Sequence, residues 1–223
     1  MAGGHQVICL PPSQFRGRPG RNTLDAMLLV SHKIKEAWRK GKSAAALFLD
    51  VQGAFPNTVK DQLLHYMRMR RVPQCFIDIV SMSLSGRTTC IKFDDYISDP
   101  MPLDNSTTQG DPSSMLYYSF YNAPLIEIAS SNDELSPGFV DDTMILAIGD
   151  SIGRCHFKLK DMIERPGGGF KWSYIHNSPF KLSKTALMNF PRTHRDHIPA
   201  RLTLDKPNED STVSSSITLP VLL

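Results

Sequence analysis

Apolar and polar positions alternate along this chain in two distinct rhythms. From Asn22 to Arg39, Leu24, Met27, Leu28, Ile34 and Trp38 follow helical spacing, with Asn22 or Thr23 as a start signal and Gly41 as a stop. The run AAALFLDV (44–51) reads as a buried strand. Helical spacing returns from Val59 to Met69, and Pro73 opens another helix through Phe76, Ile79, Val80 and Leu84. TTCIKF (88–93) reads as a strand leading into a hairpin at the two aspartates that follow. The stretch 110–129 predicts a third strong helix, with Asp111 as N-cap, Pro112 at its first position and a kink at Pro124. Residues 138–148 predict a hairpin, and Asp150 or Ser151 caps a helix through Ile152, Leu159, Met162 and Ile163. RPGGGF (165–170) breaks that helix, GGGFKWSYIHNSPF reads as an irregular connection, and 179–190 closes as strand and turn. Helices and strands mix without regular β-α alternation, which predicts an α+β fold. The stretch from Lys206 to Leu223 is polar and then briefly apolar, and reads as a loose tail.

Composition narrows the class. With 223 residues the chain is long enough for a substantial core, and 41% hydrophobic with 21% charged residues is globular usage. No apolar run approaches the roughly 18 residues that a membrane span requires, so no membrane association is expected. The N-terminus lacks a secretory apolar region. Cys9, Cys75, Cys90 and Cys155 are widely spaced and form no metal-binding pattern, so reduced intracellular thiols are expected, with the compartment, nuclear or cytoplasmic, left open. The net charge of +3 says little, but its distribution is uneven. Arg16, Arg18, Arg21, Lys33, Lys35, Arg39, Lys40 and Lys42 face only Asp25 and Glu36 in residues 16–42, which reads either as a polyanion footprint or as a solvated helix face.

Candidate chemistry centres on carboxylates in apolar surroundings. Asp50 ends an apolar strand, and a charge there needs a partner or a metal. Asp141 and Asp142 sit at a hairpin bend, where the pair either marks a turn or holds a cation. Two or three carboxylates without histidine or cysteine form a hard oxygen site suited to Mg²⁺. TTQGDPSS (107–114) sets a glycine before a capped helix start, an arrangement that suits an anion or an ordinary helix end. QFRGRPGR (14–21) offers three arginines among glycines, and Lys184 lies between apolar flanks in LSKTALM.

The order of these segments carries more than any one of them. FLDVQGAF, QGDPSSML, FVDD and LSKT, in that sequence, resemble the successive palm motifs of reverse transcriptases. QFRGRPGRNTLDAMLLV ahead of them resembles the finger segment of non-LTR (LINE-type) retrotransposon reverse transcriptases, so the likeness spans residues 13–190. The resemblance implies a right-hand palm, an antiparallel sheet backed by helices, over residues 44–192. It implies partial fingers in 1–43, and 193–223 reads as a loose C-terminal tail with little or no thumb. It implies RNA-directed DNA polymerase activity on an RNA template and a DNA primer, with deoxynucleoside triphosphates as substrates and two Mg²⁺ ions (or Mn²⁺) as cofactors. Asp50 and Asp141 then match the metal-binding aspartates, Asp142 a third carboxylate, and Val51 the position whose carbonyl touches a metal. Phe55 matches the residue that crowds the incoming sugar. Gln109 and Gly110 match the loop at the template and nucleotide. Arg16, Arg18 and Arg21 lie in the fingers segment that contacts template or triphosphate, and Lys184 matches a lysine that protonates pyrophosphate. Two other readings stay open: a catalytically inactive retroelement remnant that binds nucleic acid through the basic flank, and a metal-dependent nuclease.

Overall fold

The structure is a computed structural model and describes residues 10–108, 110–193, 199, 201–206 and 215–222. In chain order, helix α1 (Thr23–Arg39) leads into strand β1 (Ser43–Leu49), and α2 (Lys60–Met69) and α3 (Gln74–Ser83) follow. Four two-residue strands come next: β2 (Thr88–Thr89), β3 (Lys92–Phe93), β4 (Tyr96–Ile97) and β5 (Met101–Pro102). Then come α4 (Pro112–Tyr121), α5 (Ala123–Ile126), β6 (Glu134–Leu135), β7 (Gly138–Phe139) and β8 (Asp142–Gly149). Helices α6 (Ile152–Glu164) and α7 (Gly169–Ile175) precede β9 (Ala186–Phe190), β10 (Arg201–Lys206) and β11 (Ser215–Leu222).

The main sheet has seven strands in the order β10-β11-β9-β1-β8-β6, with β7 also paired to β8. All its pairings are antiparallel except β11 with β9. β1 reads as an unbroken apolar run because both of its faces are covered. Ala45, Leu47 and Leu49 join Ile145, Ala147 and Leu187 beneath α2, α4, α6 and α7. Ala44 and Ala46 join Met144, Leu146 and Ile148 beneath Ile34 and Ala37 of α1. A strand buried on both sides needs no polar alternation.

Local signals set most element ends. Asn22 caps α1 in a reciprocal box with Asp25, its side chain accepting from the Asp25 N–H and its own N–H donating to the Asp25 carboxylate. Asp111 caps α4 ahead of Pro112, and Ser151 caps α6. The predicted 110–129 helix divides at Asn122, two residues before Pro124, because proline has no N–H to continue the ladder.

Three expectations change. The strand predicted over 88–93 is two short ones, β2 pairing with β5 and β3 with β4 through a turn where Asp94 has φ +49°. The connection after RPGGGF contains a helix, α7, held by burial of Phe170 and Trp172 against the core. The C-terminal segment is not a loose tail in its described parts: β10 and β11 form a hairpin whose Leu202, Leu204 and Leu219 are buried. Period-two alternation of leucine with polar residues supplies that buried face. The apolar stripe of α1 is only partly covered, with Ile34 and Ala37 inward and Leu24, Met27 and Leu28 more than half exposed. Likewise Ile77 and Val80 form the buried side of α3, while Phe76 and Ile79 face outward.

Candidate active site

The predicted carboxylates meet at one end of the sheet. β1 and β8 pair with Leu49 opposite Thr143, and one further rung brings Asp50 level with Asp142 and the turn before it. β7 and β8 are joined by a two-residue turn, Val140–Asp141, with Phe139 opposite Asp142. β9 lies on the other side of β1, with Phe48 opposite Ala186, so the residues just before β9 return alongside Asp50. A 3-10 turn over Leu182–Lys184 places the Lys184 ammonium 3.6 Å from the Asp50 carboxylate.

Backbone bonds fix this end. The Lys181 N–H donates to the Asp50 carbonyl at 2.7 Å, and the Gln52 N–H to the Pro179 carbonyl at 2.8 Å. The two bonds straddle Val51, which forms a bridge with Phe180, and leave its carbonyl out of that ladder. Asp141 is half-buried. Burial raises its pKa above the usual carboxylate value, its own N–H lowers it, the Asp142 and Asp50 charges add to the rise, and Lys184 offsets part of it. Asp142 is exposed and lines a groove with Met27, Val30 and Ile34 of α1 and with Phe48 and Met144 of the sheet. Among the described residues no three acidic, histidine or cysteine side chains gather closely enough to hold a metal ion by themselves.

The other predicted residues distribute as follows. The Phe55 ring packs 5.4 Å from that of Tyr118 on α4, and the Phe55 carbonyl accepts from the Thr107 N–H, which docks the 106–108 segment beside it. Burial, then the charge of Asp141, pushes the Tyr118 phenol well above its ordinary pKa, so it stays protonated. Gly110 has φ +91° with open space around it, so its backbone, not crowding, favours glycine; Gln109 lies outside the described residues. The exposed Arg16 guanidinium sits 5.5 Å above the Phe139 ring, next to the carboxylate turn. Arg18 donates to the carbonyls of Pro11 (2.7 Å) and Leu10 (3.4 Å), and Arg21 covers the Phe15 ring. Within the basic flank, Lys33 and Lys40 pair with Glu36, and Lys42 pairs with Asp133. Three lysines of the predicted polyanion footprint are thus paired with acids of the chain itself, at the surface.

Two supports of the turn are absent from the sequence reading. The segment Ser13–Phe15 pairs with β7: the Gly138 N–H donates to the Ser13 carbonyl, and the Phe15 N–H to the Gly138 carbonyl, both at 3.0 Å. Fully buried Gln14 donates to Ser119 of α4 at 3.2 Å. A Cβ at Gly138 would stand 2.4 Å from Ile126 Cδ1, so this close approach needs glycine. The second support is Asn122, whose side-chain amide donates to the Val140 carbonyl and the Thr143 hydroxyl. No periodicity marks either contact.

No protein family matches the chain by sequence, and no curated protein does. Solved structures do. Telomerase from Candida tropicalis in complex with the TWJ fragment of telomeric RNA matches over 86% of this chain at 12% identity, with a TM-score of 0.61. Apo telomerase from the same organism matches over 81% at 11% identity, with a TM-score of 0.56. A form truncated from the C-terminal domain matches over 81% at 10% identity, with a TM-score of 0.55. The chain therefore shares the fold of the matched part of these telomerase structures. The chain spans about a third of the length of these structures, 34–37%. Among the described residues no helix is long and apolar enough to cross a membrane.

Proposed function

We propose that this chain is a reverse transcriptase domain of the non-LTR (LINE-type) retrotransposon kind, catalysing RNA-templated addition of deoxynucleotides to a primer 3′-hydroxyl. The convergence of Asp50, Asp141 and Lys184 at one sheet end, on a fold shared with the matched part of telomerase, carries the reading. In that reading residues 1–43 contribute partial fingers and 44–192 the palm.

The donor set fits Mg²⁺. It is all hard oxygen, and burial and two like charges disfavour the ionised form of Asp141, a penalty that a bound cation would relieve. Mg²⁺ takes one or two protein carboxylates and fills its other positions with water and substrate phosphates, so a three-acid cluster is not required. Asp50 and Asp141 would hold the ions, with Asp142 as a supporting charge and the Val51 carbonyl as a further oxygen. When bound, paired ions supply charge neutralisation at the attacking and leaving oxygens of phosphoryl transfer.

The chain's own residues divide the remaining work. Lys184, with its side chain 59% exposed and tethered only to Asp50 among described residues, is free to swing toward the leaving pyrophosphate and donate a proton. Phe55, backed by Tyr118, presents a rigid ring where the sugar would lie. Arg16 presents a guanidinium beside the turn for the triphosphate, while Gln109 and Gly110 would line the template side. Arg18 and Arg21 serve the shape of that loop through carbonyls and a ring before they serve nucleic acid.

Primer extension on an RNA template with Mg²⁺ tests the reading. The native chain is expected to incorporate deoxynucleotides and Asp141→Asn to lose incorporation. Equal incorporation by both would remove Asp141 from the mechanism. No incorporation by either, with salt-sensitive nucleic-acid binding that persists without Mg²⁺, would favour the inactive remnant. Primer degradation would favour a nuclease.

A further inference from the structure

Asn122 occupies the single position between α4 and α5 and is fully buried. Its Nδ2 donates to the Val140 carbonyl at 3.0 Å and to the Thr143 hydroxyl at 3.1 Å. Those two acceptors bracket Asp141 and Asp142 in sequence. Among the described residues its Oδ1 has no hydrogen-bond partner, so the side chain acts here as a donor only. The bonds span a turn that needs holding. Val140 has φ +65°, and a β-branched residue stays in that conformation only where its surroundings over-determine it.

We propose that Asn122 is the positioning residue of the carboxylate turn: its amide ties the entry of the turn to the exit and so fixes where Asp141 points. This rests on the polymerase reading of Asp141. The approach to the turn is fixed separately by the Ser13–Phe15 bonds to Gly138 and by Gln14 on Ser119 of α4, while Asn122 links the turn itself to the helical layer. α4 begins just after Gly110 and ends at Asn122, so one rigid ten-residue helix connects the substrate-side loop to the carboxylates.

The experiment compares the full-length native chain with Asn122→Asp, which keeps the shape but replaces the donor with an acceptor facing the Val140 carbonyl. Three readouts are taken: Mg²⁺ dependence of primer extension, Mn²⁺ affinity by titration calorimetry, and hydrogen exchange across 138–146. Losing a group that orients a metal ligand typically weakens metal binding about 10- to 100-fold. Asn122→Asp is expected to raise the half-saturating Mg²⁺ concentration and the Mn²⁺ dissociation constant by about tenfold or more. It should also speed exchange at 140–144 and leave the KM for nucleotide near its native value. A remote core variant, Leu204→Ala on β10, supplies a protein weakened by a comparable amount and should keep the native metal dependence. Native metal affinity and native exchange in Asn122→Asp would overturn the proposal, as would an equal shift in Leu204→Ala. If the native chain incorporates nothing, the polymerase reading falls, and Mn²⁺ affinity with exchange still decides the positioning role. Should Asn122→Asp not fold, Thr143→Val removes one acceptor at constant shape, and unchanged exchange and Mn²⁺ affinity there would overturn the proposal equally.

Discussion

Val140 gives the sharpest test of how the carboxylate turn is built. Its φ of +65° and its burial pull in opposite directions. Val140→Ala removes two buried methyl groups and should cost about 2 kcal/mol from transfer and the cavity left behind. The strain of a left-handed residue, about 1–2 kcal/mol, stays, because alanine still carries a Cβ. Val140→Gly removes that strain, while the extra chain freedom of glycine returns about 0.5–1 kcal/mol to the unfolded state. Glycine should therefore leave the protein about 0.5–1 kcal/mol more stable than alanine at this position, the reverse of the ordinary order. Val80, buried in the middle of α3, is the control: there the glycine variant should be the weaker by about 1 kcal/mol. Urea unfolding followed by tryptophan fluorescence reads both pairs. With a denaturant slope of about 2 kcal/mol/M, the Val140 pair should separate by about 0.25–0.5 M in midpoint. An alanine variant as stable as the glycine variant at 140 would refute the claim that this turn is held under strain.

Other expectations follow from named contacts. Gly138→Ala should destabilise by about 1–3 kcal/mol through its clash with Ile126 Cδ1, and Ile126→Val should restore part of the loss in the double variant, measured by urea unfolding. His176 is buried between Tyr66 and Trp172, and burial lowers its pKa to about 4 while its Nδ1–H bond to the Trp172 carbonyl opposes the drop. The unfolded chain binds this proton more readily, so His176 contributes fully above its ordinary pKa near 6.5 and loses stability as the pH falls toward 4. The loss should be on the order of 3 kcal/mol, and His176→Phe should flatten that window in a series of melting curves. Leu204→Ala should cost about 2–4 kcal/mol in the same urea assay, a near-zero cost meaning that β10 does not belong to the core.

Much of this architecture is legible in the residues because the signals are local. The Asn22 cap, the Asp111–Pro112 start, the Ser151 cap and the apolar runs of β1 and β8 each declare themselves within a few positions. What escapes the reading depends on partners distant in sequence. α7 is glycine-led and weak in propensity, and it forms because Phe170 and Trp172 find the core. β10 and β11 carry short alternations that become strands only when β9 offers an edge. The stripe on α1 is visible, but the spacing does not say that Leu24, Met27 and Leu28 lie beyond the rim of the sheet. At the site, the carboxylates stand out as charges among apolar residues. The approach of Lys184 to Asp50 follows from the β1–β9 register instead, and Asn122 has no pattern because its partners are a backbone carbonyl and a hydroxyl.

The central place of β1 also governs how the chain is made. Ser43 pairs with Gly149 and Ala44 with Phe190, so the strand has neither neighbour until about a hundred further residues have left the ribosome. Pairings this distant in sequence carry a high entropic cost and form slowly. In the interval SAAALFL is an uncovered apolar segment with two open edges, the kind of species that associates with other nascent chains. Expression yield should therefore respond to translation speed and chaperone supply more strongly than folded stability alone would suggest. The same early strand that carries Asp50 to its end must wait longest for its partners.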